Sequence, residues 1–290
     1  MNRYIERNIS WLFPLPAAIF ILSMMAFPIT YTVWVSLTDW SMASSGSVKF
    51  IGLQNYIDLF SDDRFYNSVK LTIYFTVLAV GVETVLGVAI ALILNREFQG
   101  KGLVKGILLL PMVATPVAIG LAWTLFYEPT IGLGNYALQL LGMAPSKWLA
   151  SNTAVIPSLA LVDIWEWTPM VTLIVLAGLA SLPNEPYEAA LVDGASEWQI
   201  FRYITLPLLF PTIMIAVVLR GIDAFKTFDI IYTMTAGGPG FASETLNIYA
   251  YNLAFGYFKF GAASSALVAL LALVLGSSLI VLWIRRSWEQ

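Results

Sequence analysis

The sequence predicts an all-α integral membrane protein: six transmembrane helices, with a short helical piece on the cytoplasmic side between helices 4 and 5. Three observations predict it. Of 290 residues, 59% are hydrophobic and 11% charged, with mean hydropathy +0.78. A soluble domain carries about 25% charged residues, and one core of this size cannot hide so much apolar surface, so lipid is the expected solvent. Six apolar blocks recur, each of about 20 residues or more, the length that crosses a hydrocarbon layer. Positive charge also alternates from one connection to the next.

In order, the blocks are 11–37, 69–94, 103–127, 154–182, 208–232 and 261–284. The first resembles a secretory leader only superficially. It is too long, holds Pro14, Pro16 and Pro28, and lacks a small-residue cleavage pattern, so it is expected to be retained. Orientation follows the basic residues. Arg3 and Arg7, then Arg96, Lys101 and Lys105, then Arg202, then Arg285 and Arg286 all fall inside if both termini are cytoplasmic. The outer connections then hold Lys49, Arg64, Lys147 and Lys259, diluted over longer sequence and outnumbered by Asp39, Asp58, Asp62, Asp63, Glu128 and Glu244. Asn2, Arg3, Tyr4 and Glu6 read as a short cytoplasmic tail. The whole chain, 1–290, reads as one transmembrane domain with a cytoplasmic loop at 183–206.

Composition excludes several functions. With no cysteine and no histidine, there is no disulfide, thiol nucleophile, Cys/His zinc site or Ser-His pair, and no metal or bound cofactor is expected. A net charge of −3 is too close to neutral for a nucleic-acid partner. The sequence has no GxxxxGK[ST] loop; Gly100-Lys101-Gly102 lacks the spacing, so the chain is not expected to hydrolyse ATP.

Charges inside the apolar blocks are costly and mark function or pairing. Glu83, Asp163, Glu166, Arg220 and Asp223 are such charges. Asp163 and Glu166 share a helical face, as do Arg220 and Asp223. One reading is a structural ion pair, Arg220 with Asp223 or with an acid of the fourth span. The other is a polar cavity for a hydroxyl-rich solute, in which carboxylates and Arg bond hydroxyls while nearby Trp165, Trp167 and Phe225 offer ring faces. The two readings are compatible. Arg220 would suit a solute with an anionic group. Glu83 reads as a packing or cavity residue.

The loop at 183–206 contains most of EAALVDGASEWQIFRYITLP, residues 188–207. Pro186 suits a first helical turn, with Asn184 or Glu185 as cap and Glu185 and Glu188 near the positive helix end. Asp193-Gly194 offers a glycine stop, and Ser196-Glu197-Trp198-Gln199 a capping box that starts a second helix. The first helix, about eight residues and roughly 12 Å long, is marginal alone in water and needs a support. An amphipathic connector lying on lipid headgroups is one option. Its acidity up to Arg202 opposes anionic lipid and favours a basic protein partner.

Glu188-Ala189-Ala190, then Gly194, Ile204 and Leu206-Pro207, at this spacing, resemble the EAA motif of bacterial ABC importer permeases. Asp163-Ile164-Trp165-Glu166-Trp167-Thr168-Pro169, Phe225-Lys226-Thr227-Phe228-Asp229 and Thr235-Ala236-Gly237-Gly238-Pro239-Gly240 resemble the carbohydrate branch of that family. The nearest likeness is to the first of the two permeases in maltose-, trehalose- and glycerol-phosphate-type systems. The resemblance implies a type I ABC importer permease fold and a non-catalytic subunit that imports a sugar, glycoside or polyol-type solute. It implies a bacterial inner-membrane site and a second permease completing a heterodimer. It also implies two cytoplasmic ATPase subunits that hold ATP-Mg, and a periplasmic or lipid-anchored solute-binding protein. Glu188, Ala189, Ala190, Asp193 and Gly194 would form the coupling helix that docks on the ATPase. Asp163, Glu166, Trp167, Arg220, Asp223 and Thr227 would line the sugar path. The segment 235–259 is an ordinary turn on its residues, and on the resemblance a contact for the binding protein. Two other classes compete. A stand-alone ion-coupled secondary transporter would use the intramembrane acids but has no use for the EAA stretch. An intramembrane enzyme would need a catalytic set that the composition thins out.

Overall fold

The computed structural model describes residues 13–42 and 47–289. The expected tail residues Asn2, Arg3, Tyr4 and Glu6, with Arg7 and the start of the first apolar block, lie outside the described residues. The described helices, in chain order, are α1 Leu15–Ser36, α2 Gln54–Leu59, α3 Asp63–Asn95, α4 Lys101–Val113, α5 Pro116–Phe126, α6 Leu133–Leu140, α7 Val155–Ala180, α8 Glu185–Val192, α9 Glu197–Ile200, α10 Leu206–Phe225, α11 Asp229–Thr235, α12 Leu246–Tyr251 and α13 Phe260–Glu289. Five stretches among them are long and apolar enough to cross a membrane, six when α4 and α5 count as one broken span.

That break corrects the sequence expectation of one continuous third helix. The two halves are bent by 97°. Ala114 and Thr115 are extended, with ψ 150 and 139. Pro116 disfavours helical backbone at the residue before it and has no N–H to carry the ladder across. The fifth span is also displaced from the expected 208–232. It runs from Glu197 to Phe225 as one 29-residue stretch, passing from α9 through a wide π turn, Phe201–Thr205, into α10. Pro207 cannot donate to the carbonyl of Tyr203, and the widened turn lies just before it. The chain then breaks at Lys226–Phe228, and α11 is a separate short helix.

The chain forms two compact units. One comprises 1–62 with 250–269. In it Asn55 Nδ2 donates to the carbonyls of Ser36 and Thr38, both at 2.8 Å, and the Ser36 and Tyr56 hydroxyls share a hydrogen bond of 2.7 Å. Antiparallel bridges pair Thr38 with Phe50 and Ser41 with Lys259. The side chains of α1 are almost all exposed.

The other unit comprises 63–249 with 270–290 and holds the main packing. Helices α3 and α7 lie against each other, with α10 against both. Ala91, Val171, Val175, Leu179, Leu209, Ile213 and Ala216 form one buried cluster. Contact is close because Gly87 has no side chain: a Cβ there would sit 2.6 Å from Val171 Cγ1. A second cluster gathers Phe75, Ile119, Tyr127, Leu159 and Ile231. Tyr127 stacks on Trp148 at 4.7 Å and donates to the Ser158 carbonyl at 2.9 Å. Glu128 accepts from the N–H of Ile131 at 2.6 Å and from the Thr130 hydroxyl at 2.7 Å, which holds its carboxyl below the ordinary range. On the 235–249 segment, Arg64 grips Glu244 through two nitrogens, each at 2.5 Å, and lies 4.0 Å from the Phe241 ring centroid.

Candidate functional site

Two groups of residues stand out, one within the spans and one on the loop between the fourth and fifth. The first is built where α3, α7 and α10 meet. Arg220, Asp163 and Glu166 are each 1% exposed and Glu83 is 0% exposed. Arg220 Nε faces Glu83 Oε2 at 2.8 Å, and its Nη2 donates to Glu83 Oε1 at 3.2 Å and also to Asp163 Oδ2. The guanidinium carbon lies 5.1 Å from the Trp167 ring centroid. Each of the three helices thus contributes to one charged node. Burial this deep is tolerated because the partners are matched; an isolated ion would carry a desolvation cost of several kcal/mol.

Of the two pairings the sequence left open for Arg220, the structure forms the one with an acid of the fourth span. Asp223 pairs with Lys226 instead, at 3.2 Å near the C-terminal end of α10. Thr227 Oγ1 is 3.4 Å from the Asp223 carbonyl. The six candidate lining residues therefore fall into two sets: Asp163, Trp167 and Arg220 in the node, with Glu166 on the next turn of α7, and Asp223 with Thr227 at and just beyond the C-terminal end of α10. Glu83 joins the first set. Helical spacing relates residues within one helix, and no local signal links position 83 to position 220. Asp163 Oδ1 and Glu166 Oε2 are buried with no hydrogen-bond partner among the described residues.

The second group is the loop. α8 begins with Asn184 at the cap position, where its side chain makes no capping bond, and Pro186 in the first turn. It ends at Asp193 with Gly194 at φ +72. The Ala195 N–H returns to the Ala190 carbonyl at 2.9 Å and the Gly194 N–H to Leu191 at 3.1 Å, a glycine-stopped helix end. α9 then opens with the predicted capping box, Ser196 and Gln199 bonding each other's backbone. Ala190 is buried against the protein, while Glu188, Ala189, Asp193 and Gly194 are exposed. Tyr187 reaches Thr205 at 3.2 Å and ties α8 to the base of the fifth span. Leu191 and Val192, 66% and 87% exposed, present apolar surface beside the acids; the sequence reading passed over them, although their place in the helix was visible. Beside this loop opens a cleft of about 950 Å³, lined among others by Arg96, Asn184, Tyr187, Glu197 and Trp198.

Residues 83–290 match the family described as binding-protein-dependent transport system inner membrane component. The chain belongs to that family. Similar permeases include a probable ABC transporter permease of Sinorhizobium fredii, 42% identical over 93% of this chain and 88% of its own length. The trehalose/maltose transport system permease of Thermococcus litoralis is 36% identical over 98% of this chain and 96% of its own. Among solved structures, a chain of a bacterial ABC transporter involved in the import of the acidic polysaccharide alginate superposes with TM-score 0.81 at 22% identity, covering 98% of both chains. The permease fold is thus shared, and this permease is a multi-pass inner-membrane component.

Proposed function

We propose that this chain is a permease subunit of an ATP-driven sugar importer and forms one half of the solute path. The observation that carries it is the likeness, along 98% of the chain, to a permease named for trehalose and maltose. The chain works as one permease domain over 1–290, with 183–206 as its coupling loop. A second, homologous permease completes a heterodimer. Two cytoplasmic ATPase subunits bind ATP-Mg, and a periplasmic or lipid-anchored protein delivers the sugar. Both termini are cytoplasmic, which puts Arg96, Lys101, Lys105, Arg202, Arg285 and Arg286 inside.

The chain's residues account for the two tasks. α8 offers Glu188, Ala189 and Asp193 with Leu191 and Val192 on an exposed face, a small acidic and apolar surface suited to a basic, grooved partner. The tie from Tyr187 to Thr205 passes any displacement of α8 to the fifth span. Within the spans, Glu166 and the exposed Asp223, with Trp165, Trp167 and Thr227, supply acceptors and ring faces for sugar hydroxyls and C–H faces. Polar groups exposed on single-chain spans fit a water-filled path or a partner better than lipid.

The test is reconstitution of the complete complex in proteoliposomes, with labelled trehalose or maltose. Uptake should require ATP, and Glu188→Lys should abolish it, because a cation then faces a basic ATPase surface, while the permease still folds and sits in the membrane. Uptake by this chain and an ion gradient with no ATPase present would sink the importer reading and favour a secondary transporter.

A further inference from the structure

We infer that a groove on the spans, apart from the charged node, holds one acyl chain of a membrane phospholipid, with the ester carbonyl of that chain accepting a hydrogen bond from Thr76. The groove lies between α3, α10 and α13 and has a volume of about 410 Å³. Val80 and Gly81 of α3, Val217 and Gly221 of α10, and Ser277 and Val281 of α13 are among its walls. The two glycines leave it open: a Cβ on Gly81 or on Gly221 would meet nothing within 4 Å. No charged side chain lines it among the described residues, so its walls offer no partner to an ion. A cavity of this size, with apolar walls and a single free polar group, has the usual form of a site for a small apolar ligand.

The free polar group is Thr76. It lines the groove, is 5% exposed, and its hydroxyl has no hydrogen-bond partner among the described residues. The other hydroxyls of the groove are engaged on their own helices. Thr84 donates to the Val80 carbonyl at 2.6 Å, and Ser277 and Ser278 donate to that of Val274 at 2.9 and 2.7 Å. Thr72, one turn before Thr76, donates to the Ser68 carbonyl at 2.7 Å. A buried donor left over in this way calls for an acceptor. Depth and width decide what supplies it. As a helix the apolar block 69–94 is about 39 Å long, against roughly 30 Å of hydrocarbon. With the block centred, Thr76 lies about 6 Å inside the boundary, within reach of a lipid ester, and Thr84 lies about 12 Å deeper, among the tails. Over those 12 Å a helix about 10 Å across would occupy on the order of 900 Å³, twice the groove, so a helix of another subunit would lie across the mouth and leave Thr76 unmet. A single hydrocarbon chain fits inside. Its methylenes gain little over bulk lipid, which is equally apolar; the preference for this place comes from the hydrogen bond.

The test places the permease, purified in the complex in which it is extracted, in nanodiscs of defined lipid. The probe is a trace of diester phosphatidylcholine with a photoreactive diazirine near the end of one chain. The host is phosphatidylcholine with either ester-linked or ether-linked chains, the latter lacking the carbonyl. Labelling of residues 77–84, 217–222 and 277–281, relative to the rest of the chain, should rise at least threefold in the ether host, where the probe alone brings the acceptor. Thr76→Val should abolish that rise and Thr76→Ser should keep it. Gly221→Phe should cut labelling of the groove at least tenfold. Equal labelling of the groove in the two hosts overturns the inference. So does a groove that takes no label, as when another subunit covers it. Labelling that follows headgroup charge when phosphatidylglycerol replaces the host also overturns it. The wild-type comparison of the two hosts decides the matter even if a variant does not fold. None of these outcomes bears on the sugar-importer reading, which stands or falls on uptake.

Discussion

At the scale of single residues, Arg220 is where sequence and structure are most usefully compared. Its charge at membrane depth was legible, and so was an acid of the fourth span as its partner. Glu83 was not: it lies 137 positions away on another span, and only the packing of α3 against α7 and α10 brings it in. Asp223, three residues from Arg220 on the same helix, looked like a partner by spacing. It turns instead to Lys226. The node makes a specific prediction. Arg220→Met leaves Asp163 and Glu83 buried without their cation, a loss of about 3–5 kcal/mol for a broken buried pair. The detergent-solubilised permease should melt well below wild type. The triple change Arg220→Met, Asp163→Asn, Glu83→Gln should recover much of that loss. A single variant as stable as wild type would show that the node holds nothing together.

At the scale of elements, local rules read the loop well and the spans less well. The glycine stop at Gly194 and the capping box at Ser196 are short-range signals, and both appear as the sequence indicated. The third span misled because hydropathy is blind to direction. The block 103–127 is apolar throughout, while Thr115-Pro116 redirects it by 97°. The fifth span begins earlier than its apolar block because the second loop helix, legible from its capping box, runs through Phe201–Thr205 into the span without a break. Close approach of α3 and α7 depends on Gly87. Gly87→Leu should separate them and cost about 1–3 kcal/mol, as overpacking does. Gly81→Ala, on the same helix with open space around its missing Cβ, should leave stability unchanged or raise it by about 0.5–1 kcal/mol through helix propensity. Thermal unfolding of the two variants side by side checks the pair.

At the scale of the whole molecule, the membrane class follows from composition, and the charge pattern predicts the orientation. The chain has no cysteine, so single-cysteine variants carry no background. Lys101→Cys should react with a membrane-impermeant maleimide only in inverted vesicles, and Lys147→Cys only in intact cells or right-side-out vesicles. Labelling from the same side would overturn the orientation. What no single chain could show in its sequence is which polar groups are shielded by a partner: the exposed Asp223 and Trp165 make sense only when a second surface or a solute path faces them.

The continuity of α9, the π turn and α10 has a mechanical consequence. From Glu197 to Phe225 they form one rod, and Arg220 pins it to two neighbouring helices near its C-terminal end. By the rise of a helix, the arm from Glu197 to that pin is roughly 35 Å and the arm from the pin to Phe225 roughly 8 Å. A rod held there is a lever with unequal arms and its fulcrum at the ion node. A tilt about that fulcrum would move its Glu197 end about four times as far as its Phe225 end. In the importer proposed above, a broad stroke applied at the Glu197 end would be geared down to a small displacement at the Phe225 end.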